Sequence, residues 1–249
     1  MIEIKNLCFS YGKGRKIFKS LSFAIKEKKL TCIIGPNGCG KSTLTKIISG
    51  IISDYSGDVS VKNRNIRELS FFEMSKIVSY LPQKIFYDPD ITVIESLISV
   101  LSKDFTFEFG PKQKKQIEKA IDRFALHEIK DKKLSEISGG ELQRVFIAMS
   151  GVRDCEFYVF DEPLNNLDIK NQIDIMSIIK SFSFERTVIA VVHDINMALK
   201  FADEIVFMKN GDVLFQIEPL KVSEDMIKKT FDIDCNIINA PKNEKIVLV

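Results

Sequence analysis

The chain has 249 residues, with 36 Lys plus Arg set against 34 Asp plus Glu, a formal net charge of +2. An apolar content of 45% and a charged content of 28% are those of an ordinary globular protein and exclude wholesale disorder. Charges so near balance leave no basic footprint for nucleic acid, and no run reaches the roughly 18 apolar residues of a spanning helix.

The length fits one large domain, or one domain carrying an inserted subdomain. The first residues, MIEIKNLCFSYGKGRK, lack the basic start, apolar run and cleavage site of a signal peptide. The five cysteines (Cys8, Cys32, Cys39, Cys155, Cys235) are scattered, without a C-x-x-C pair. They point to a reducing cytosol rather than to a disulfide framework or a zinc site.

In chain order, the alternations Ile2, Ile4 and Leu21, Phe23, Ile25, punctuated by Gly12 and Gly14, predict antiparallel hairpins. Thr31–Ile34 reads as a buried strand. Leu44, Ile47, Ile48, Ile51 and Ile52 then follow the spacing of one helix face, which predicts a helix reaching Ile52. Val59 and Val61, and then Val78–Leu81, read as strands. From about Asp88 to Lys133 the β-branched alternation gives way to helical spacing (Val93, Leu97, Val100, Leu101) and a Lys-rich stretch, read as a helical insertion with a solvated face. The apolar runs Phe157–Phe160 and Thr187–Val192 have the character of strands covered on both faces. Helical patterns follow them, and Ile205–Met208 and Val213–Phe215 turn on Asn210-Gly211, a hairpin dipeptide. The stretch from Leu220 to Val249 gives no clear pattern.

Gly35-Pro36-Asn37-Gly38-Cys39-Gly40-Lys41-Ser42-Thr43 has the form G-x-x-x-x-G-K-[ST], between a predicted strand and a predicted helix. Glycines let backbone N–H groups converge on phosphate oxygens at the positive end of the helix dipole. Lys41 adds a full charge for the β- and γ-phosphates, and the Ser42 hydroxyl is placed to ligate Mg²⁺. The chain is therefore expected to bind a nucleoside triphosphate. The strand ending in Asp161-Glu162 delivers two carboxylates, Asp161 for the Mg²⁺ shell and Glu162 to polarise an attacking water. The Cys39 side chain is expected to border the bound phosphates, and a helix N-terminus lowers thiol pKa, so alkylating Cys39 is expected to block ATPase activity, with ATP protecting it.

Ile137-Ser138-Gly139-Gly140-Glu141-Leu142-Gln143-Arg144, standing ahead of the strand that ends in Asp161, resembles the signature motif of the ABC-type ATPases. The rest of that family's set stands in order from Tyr11 to about Gly211. The resemblance implies an α/β fold: a P-loop NTPase core with a mixed sheet, an N-terminal antiparallel β subdomain and an inserted helical subdomain. It is expected to form one domain over 1–249, with the core at about 1–83 and 156–249 and the helical subdomain, carrying the signature motif, at about 84–155. Tyr11 stands where the family stacks an aromatic ring on adenine. Gln83, after Leu81-Pro82, matches the Q-loop glutamine that senses γ-phosphate and Mg²⁺. Asn165-Asn166-Leu167-Asp168 resembles the D-loop, with Asp168 as a cross-dimer contact, and His193 the switch histidine. Glu141 stands where the family usually has Gln, with no loss of activity expected.

The implied assembly is a head-to-tail homodimer holding two ATP molecules, each between the Gly35–Thr43 loop of one subunit and Ser138-Gly139-Gly140 of the other. Ser138 follows Gln83 too closely to leave room for the coiled coils of chromosome-organising relatives. One cassette, without fused membrane helices, argues against translation factors and exporters. The sequences Gly139–Val145 and Val192–Ala198 resemble the importers of ferric siderophores, haem and vitamin B12. That implies ATP and Mg²⁺ as cofactors, permease subunits as partners at the cytoplasmic face of the membrane, and indirectly an extracytoplasmic substrate-binding protein. A soluble ATPase of cluster assembly, or an importer of another small molecule or metal ion, remains the alternative.

Overall fold

The computed structural model describes residues 1–12, 14, 16–101, 110–240 and 244–248; part of the expected helical insertion, residues 102–109, lies outside the described residues. The N-terminal alternation produces β1 (Ile2–Ser10) and β2 (Lys16–Ile25), paired antiparallel with Ile2 opposite Ile25 and Ile4 opposite Phe23. β3 (Leu30–Ile34) follows, then α1 (Lys41–Ile48), β4 (Ser56–Val61), β5 (Arg64–Asn65), α2 (Phe71–Ile77) and β6 (Val78–Leu81). Next come α3 (Val93–Leu101), α4 (Pro111–Arg123), α5 (Gly139–Val152), β7 (Phe157–Asp161), α6 (Ile169–Phe182) and β8 (Thr187–Val191). The chain continues through α7 (Ile195–Phe201), β9 (Glu204–Lys209), β10 (Asp212–Ile217), α8 (Glu224–Phe231), β11 (Asn236–Ala240) and β12 (Glu244–Leu248). No helix among the described residues is long and apolar enough to cross a membrane.

A six-stranded sheet runs β10-β9-β3-β8-β7-β6, with β10 alone antiparallel to its neighbour. A second, antiparallel sheet has the order β2-β1-β4-β5. Successive side chains of a strand point to opposite faces, and both faces of the large sheet are covered. Leu30, Cys32, Ile34, Tyr158, Phe160, Val188 and Ala190 join the core shared with α3 to α7. Ile33, Phe157, Val159, Ile189 and Val191 face the opposite way, onto α1 and the antiparallel sheet. The apolar runs of the sequence are continuous because neither face of these strands meets water.

The helix after the phosphate loop stops at Ile48, short of the expected Ile52. Gly50, at φ 72°, closes it in a Schellman arrangement, with Gly50 N–H on Ile47 O at 2.9 Å and Ile51 N–H on Lys46 O at 2.9 Å. The hairpin at Asn210-Gly211 is present, both residues having positive φ (52° and 85°) as a type I′ turn requires. The helical insertion is pinned where it leaves and re-enters the core: Thr92 bridges Lys133, and Leu134 N–H bonds Ile91 O at 2.9 Å.

The stretch from Leu220 onward, patternless in sequence, forms α8 and the hairpin β11–β12. Asn196 of α7 holds that hairpin by two bonds, its Nδ2 to Val247 O at 3.1 Å and Val247 N–H to its Oδ1 at 2.8 Å. On the helical side of the large sheet, Phe182 packs its ring 4.5 Å from Tyr158, 5.8 Å from Phe124 and 5.9 Å from Phe160. This aromatic knot joins α4, α6 and β7 in one core. Phe182→Ala is therefore expected to cost about 3–5 kcal/mol, read as a lowered urea midpoint with an unchanged slope.

Candidate nucleotide site

Four consecutive strands of the large sheet, β3, β8, β7 and β6, run parallel and end along one edge. Every residue expected in hydrolysis follows one of those ends, the place where open α/β sheets bind ligands. After β3, Gly35–Gly40 curls over the N-terminus of α1, with Gly38 and Gly40 at φ 75° and 109°. Lys41, 5% exposed, turns its Nζ back to donate to Gly35 O at 2.8 Å and Pro36 O at 3.0 Å. Gly211 N–H reaches Cys39 O at 3.1 Å, so the hairpin β9–β10 braces the loop. Tyr11, 54% exposed, places its hydroxyl 3.3 Å from Thr43 Oγ1 and stands edge-on to Phe9. An aromatic face is thus presented beside the loop.

Asp161, last in β7 and 2% exposed, is tied to α1 from above. Ser42 Oγ donates to its Oδ1 at 3.0 Å; Thr45 Oγ1 at 3.3 Å and Tyr80 OH at 3.2 Å donate to its Oδ2. Burial pushes its carboxyl above the usual range, and the hydroxyls of Ser42 and Tyr80 offset only part of that. Glu162 takes φ 54°, an uncommon value for a side-chain-bearing residue, and its N–H bonds Val191 O at 3.1 Å. Its carboxylate is held on both oxygens. His193 Nε2 lies 2.7 Å from Oε1, while Gln83 Nε2 at 2.5 Å and Asn165 Nδ2 at 2.6 Å donate to Oε2. Burial, the largest single influence, works to raise the Glu162 pKa, but the contacts with Asn165 and His193 and the Lys41 charge together outweigh it and hold the carboxyl below its ordinary value.

Ser138 caps α5. Its Oγ accepts from Glu141 N–H at 3.3 Å and donates to Glu141 Oε2 at 2.7 Å, and its own N–H reaches Oε2 at 2.8 Å. The Glu in place of Gln thus completes a capping box, and those bonds hold the Glu141 carboxyl below its usual range. Asp168 caps α6, accepting from Asn171 N–H at 2.8 Å and Nδ2 at 2.9 Å. Buried Gly140 lies so close to Asn171 that a Cβ there would sit 2.4 Å from its Oδ1. The Ser138-Gly139-Gly140 and Asp168 segments are therefore neighbours, on helix N-termini that touch.

The family described as ABC transporter matches residues 18–165. The chain belongs to the ABC transporter ATP-binding family. The petrobactin import ATP-binding protein of Bacillus subtilis is 35% identical over 91% of this chain and 90% of its own. The iron(3+)-hydroxamate import ATP-binding protein of the same organism is 32% identical over 98% and 92%. The phosphonates import ATP-binding protein of Fusobacterium nucleatum is 32% identical over 93% and 98%. Among solved structures, a dimeric ATP-binding cassette in a post-hydrolysis state with ADP and Pi superposes with TM-score 0.75 at 27% identity, over 88% of this chain and 99% of that one.

As an ABC ATPase the protein hydrolyses ATP with Mg²⁺. The residues present fit that cation: Ser42 and Asp161 are hard oxygen donors side by side, and Asp161, among the described residues, has only hydroxyl partners for its buried charge. The expectation for Cys39 is corrected. Its side chain is 4% exposed, and desolvation pushes the thiol up despite nearby Lys41, so it offers the loop its backbone and not a reactive sulfur. Sequence reasoning also missed three partners of the two carboxylates, Tyr80, Thr45 and Asn165. Tyr80 and Thr45 act through contacts made only in three dimensions, whereas Asn165 stands inside the D-loop motif three residues after Glu162. A thiol reagent near pH 8 should label half-buried Cys8 and Cys235 on the native protein and leave Cys39 unmodified until denaturant is added, as read by peptide mass mapping.

Proposed function

We propose that the chain is the energising subunit of a membrane importer whose cargo is a ferric siderophore or a related iron or cobalamin chelate. The observation that carries the catalytic part is the Glu162 carboxylate fixed between His193 and Gln83 at the sheet edge that bears the phosphate loop. In this reading Gly35–Thr43 and Lys41 bind the triphosphate, and Tyr11 stacks on the base. Ser42 and Asp161, with Gln83, would hold Mg²⁺, which when bound neutralises charge on the phosphates. Glu162 accepts a proton from the attacking water, and His193 fixes the carboxylate and meets the γ-phosphate. Ser138, Gly139, Gly140 and Asp168 serve the facing copy's nucleotide across a homodimer seam, and the adjacency of the α5 and α6 N-termini supports their acting together.

A groove of about 480 Å³ between the core and the helical insertion supports the permease partner. Its lining includes Ile51, Phe71, Met74, Ile85, Phe146 and Met149, with Phe71 81% exposed and the neighbouring Phe86 97% exposed. An apolar trough of that kind suits a short amphipathic helix of a membrane subunit. Because Ile85 and Gln83 belong to one segment, a helix seated there is coupled to the nucleotide site through a short piece of chain. The petrobactin and hydroxamate relatives support the siderophore reading; the phosphonate relative favours a second one, import of another small anion.

Glu162→Gln is expected to bind Mg-ATP with wild-type affinity, to elute as an ATP-dependent dimer in gel filtration, and to lose hydrolysis by at least about 100-fold. Normal turnover in that variant would overturn the assignment. For cargo, the subunit purified with its permease in vesicles should accumulate ferric siderophore in an ATP-dependent way; uptake of a phosphonate and not of the chelate would select the second reading.

A further inference from the structure

We infer that Asn165 is a positioning residue for the water-activating carboxylate, keeping Glu162 in its working orientation through the hydrolytic cycle. The inference rests on the reading of Glu162 given above. A carboxylate turns easily about its terminal torsion, whose preference is broad and two-fold, so its orientation must come from donors. Two amides donate here and an imidazole lies against the other oxygen, and the three differ in what else they do. His193 is also wanted at the γ-phosphate, and Gln83 at the nucleotide and the helical insertion. Among the described residues, the Asn165 amide has only the Glu162 contact, with Nδ2 2.6 Å from Oε2.

The backbone explains why that donor stays. Glu162 and Asn165 are the ends of one tight turn, with Asn165 N–H reaching Glu162 O at 3.4 Å and the next residue, Asn166, at φ 62°. Whatever displaces the glutamine or the histidine leaves acid and amide on the same short tether. Oε2 then remains anchored and Oε1 stays directed at His193, 2.7 Å away. Asn165 is exposed, whereas the Glu162 side chain is 11% exposed, so the amide approaches from the solvent side and its replacement removes nothing from the core.

The test compares full-length Asn165→Ala, Asn165→Asp and Glu162→Gln with wild type in steady-state Mg-ATP hydrolysis and fluorescent-nucleotide binding. Asn165→Ala should lower kcat about tenfold with KM and nucleotide affinity within about twofold of wild type, because orientation and not substrate binding is lost. Asn165→Asp is isosteric but sets an acceptor against an acceptor, and should lower kcat about tenfold more. Equal losses in both variants, a KM that rises with the loss, or loss of the ATP-dependent dimer when Asn165→Ala is added to Glu162→Gln would overturn the inference. If Glu162→Gln is inactive while both Asn165 variants turn over normally, this inference falls and the role of Glu162 stands. An active Glu162→Gln would instead remove the reading beneath it.

Discussion

The nucleotide end of the molecule depends on one strand end treating two adjacent carboxylates in opposite ways. Asp161 is still within β7, paired with Val191, buried, and stitched to α1 by hydroxyls. Glu162 leaves the strand with φ 54°, and that twist brings its carboxylate to the tips of β6 and β8. A conformation of this kind costs on the order of 1–3 kcal/mol. The N–H bond to Val191 O, two donating amides and the nearby His193 imidazole offset it. The environments then separate the pair: burial drives one carboxyl up, while hydrogen bonds hold the other down. Two like groups side by side in the chain thus acquire different environments, as the proposed division between a cation ligand and a proton acceptor requires.

That division needs the whole sheet. Phosphate loop, carboxylates, histidine and glutamine follow strands that are neighbours in the order β3-β8-β7-β6, so their spacing is set by the roughly 4.8 Å interval between strands. α1 lies on the face that also carries the antiparallel sheet, and Leu44, Ile47 and Ile48 anchor it there. The packing that buries those side chains also sets Ser42 against Asp161.

Much of this was legible in the sequence because the strands are buried on both faces and the motifs are local. The phosphate loop, the Asp161-Glu162 pair and the Asn210-Gly211 turn each occupy a few contiguous residues whose backbone demands are specific. The overrun of α1 to Ile52 has a physical cause. The residue after a Schellman glycine is commonly apolar, so Ile51, although 51% exposed, continues a helical pattern that the backbone has already ended. α2 escaped because Phe71 and Phe72 are exposed, which conceals its periodicity; the Ser70…Glu73 capping box was its usable signal. α8 carried comparable marks, Ser223 as its cap, acids in its first turn and lysines in its last. The C-terminal hairpin also depends on a contact that no local pattern shows, the hold of Asn196 from 51 residues away. Tyr80 was illegible for the same reason, its contact with Asp161 crossing from one strand to the next, whereas Asn165 stands only three residues from Glu162.

The capping box at Ser138 gives the proposed sandwich a condition on closing. A helix N-terminus favours negative charge, and in the single chain that charge is the Glu141 carboxylate, which also accepts a hydrogen bond from the Ser138 hydroxyl. A phosphate arriving from a facing copy competes for the same hydroxyl and the same dipole. The tethered carboxylate brings one negative charge, whereas a triphosphate brings several, together with the fixed geometry of the opposing loop. Apposition of two empty chains would set the loop of one against an N-terminus already satisfied by the other's own glutamate, and gain little. Nucleotide would change that balance, because it offers the helix a more highly charged anion than the one the chain supplies. In the proposed sandwich, the differential affinity that a coupled closure requires would draw on a single residue of the signature motif.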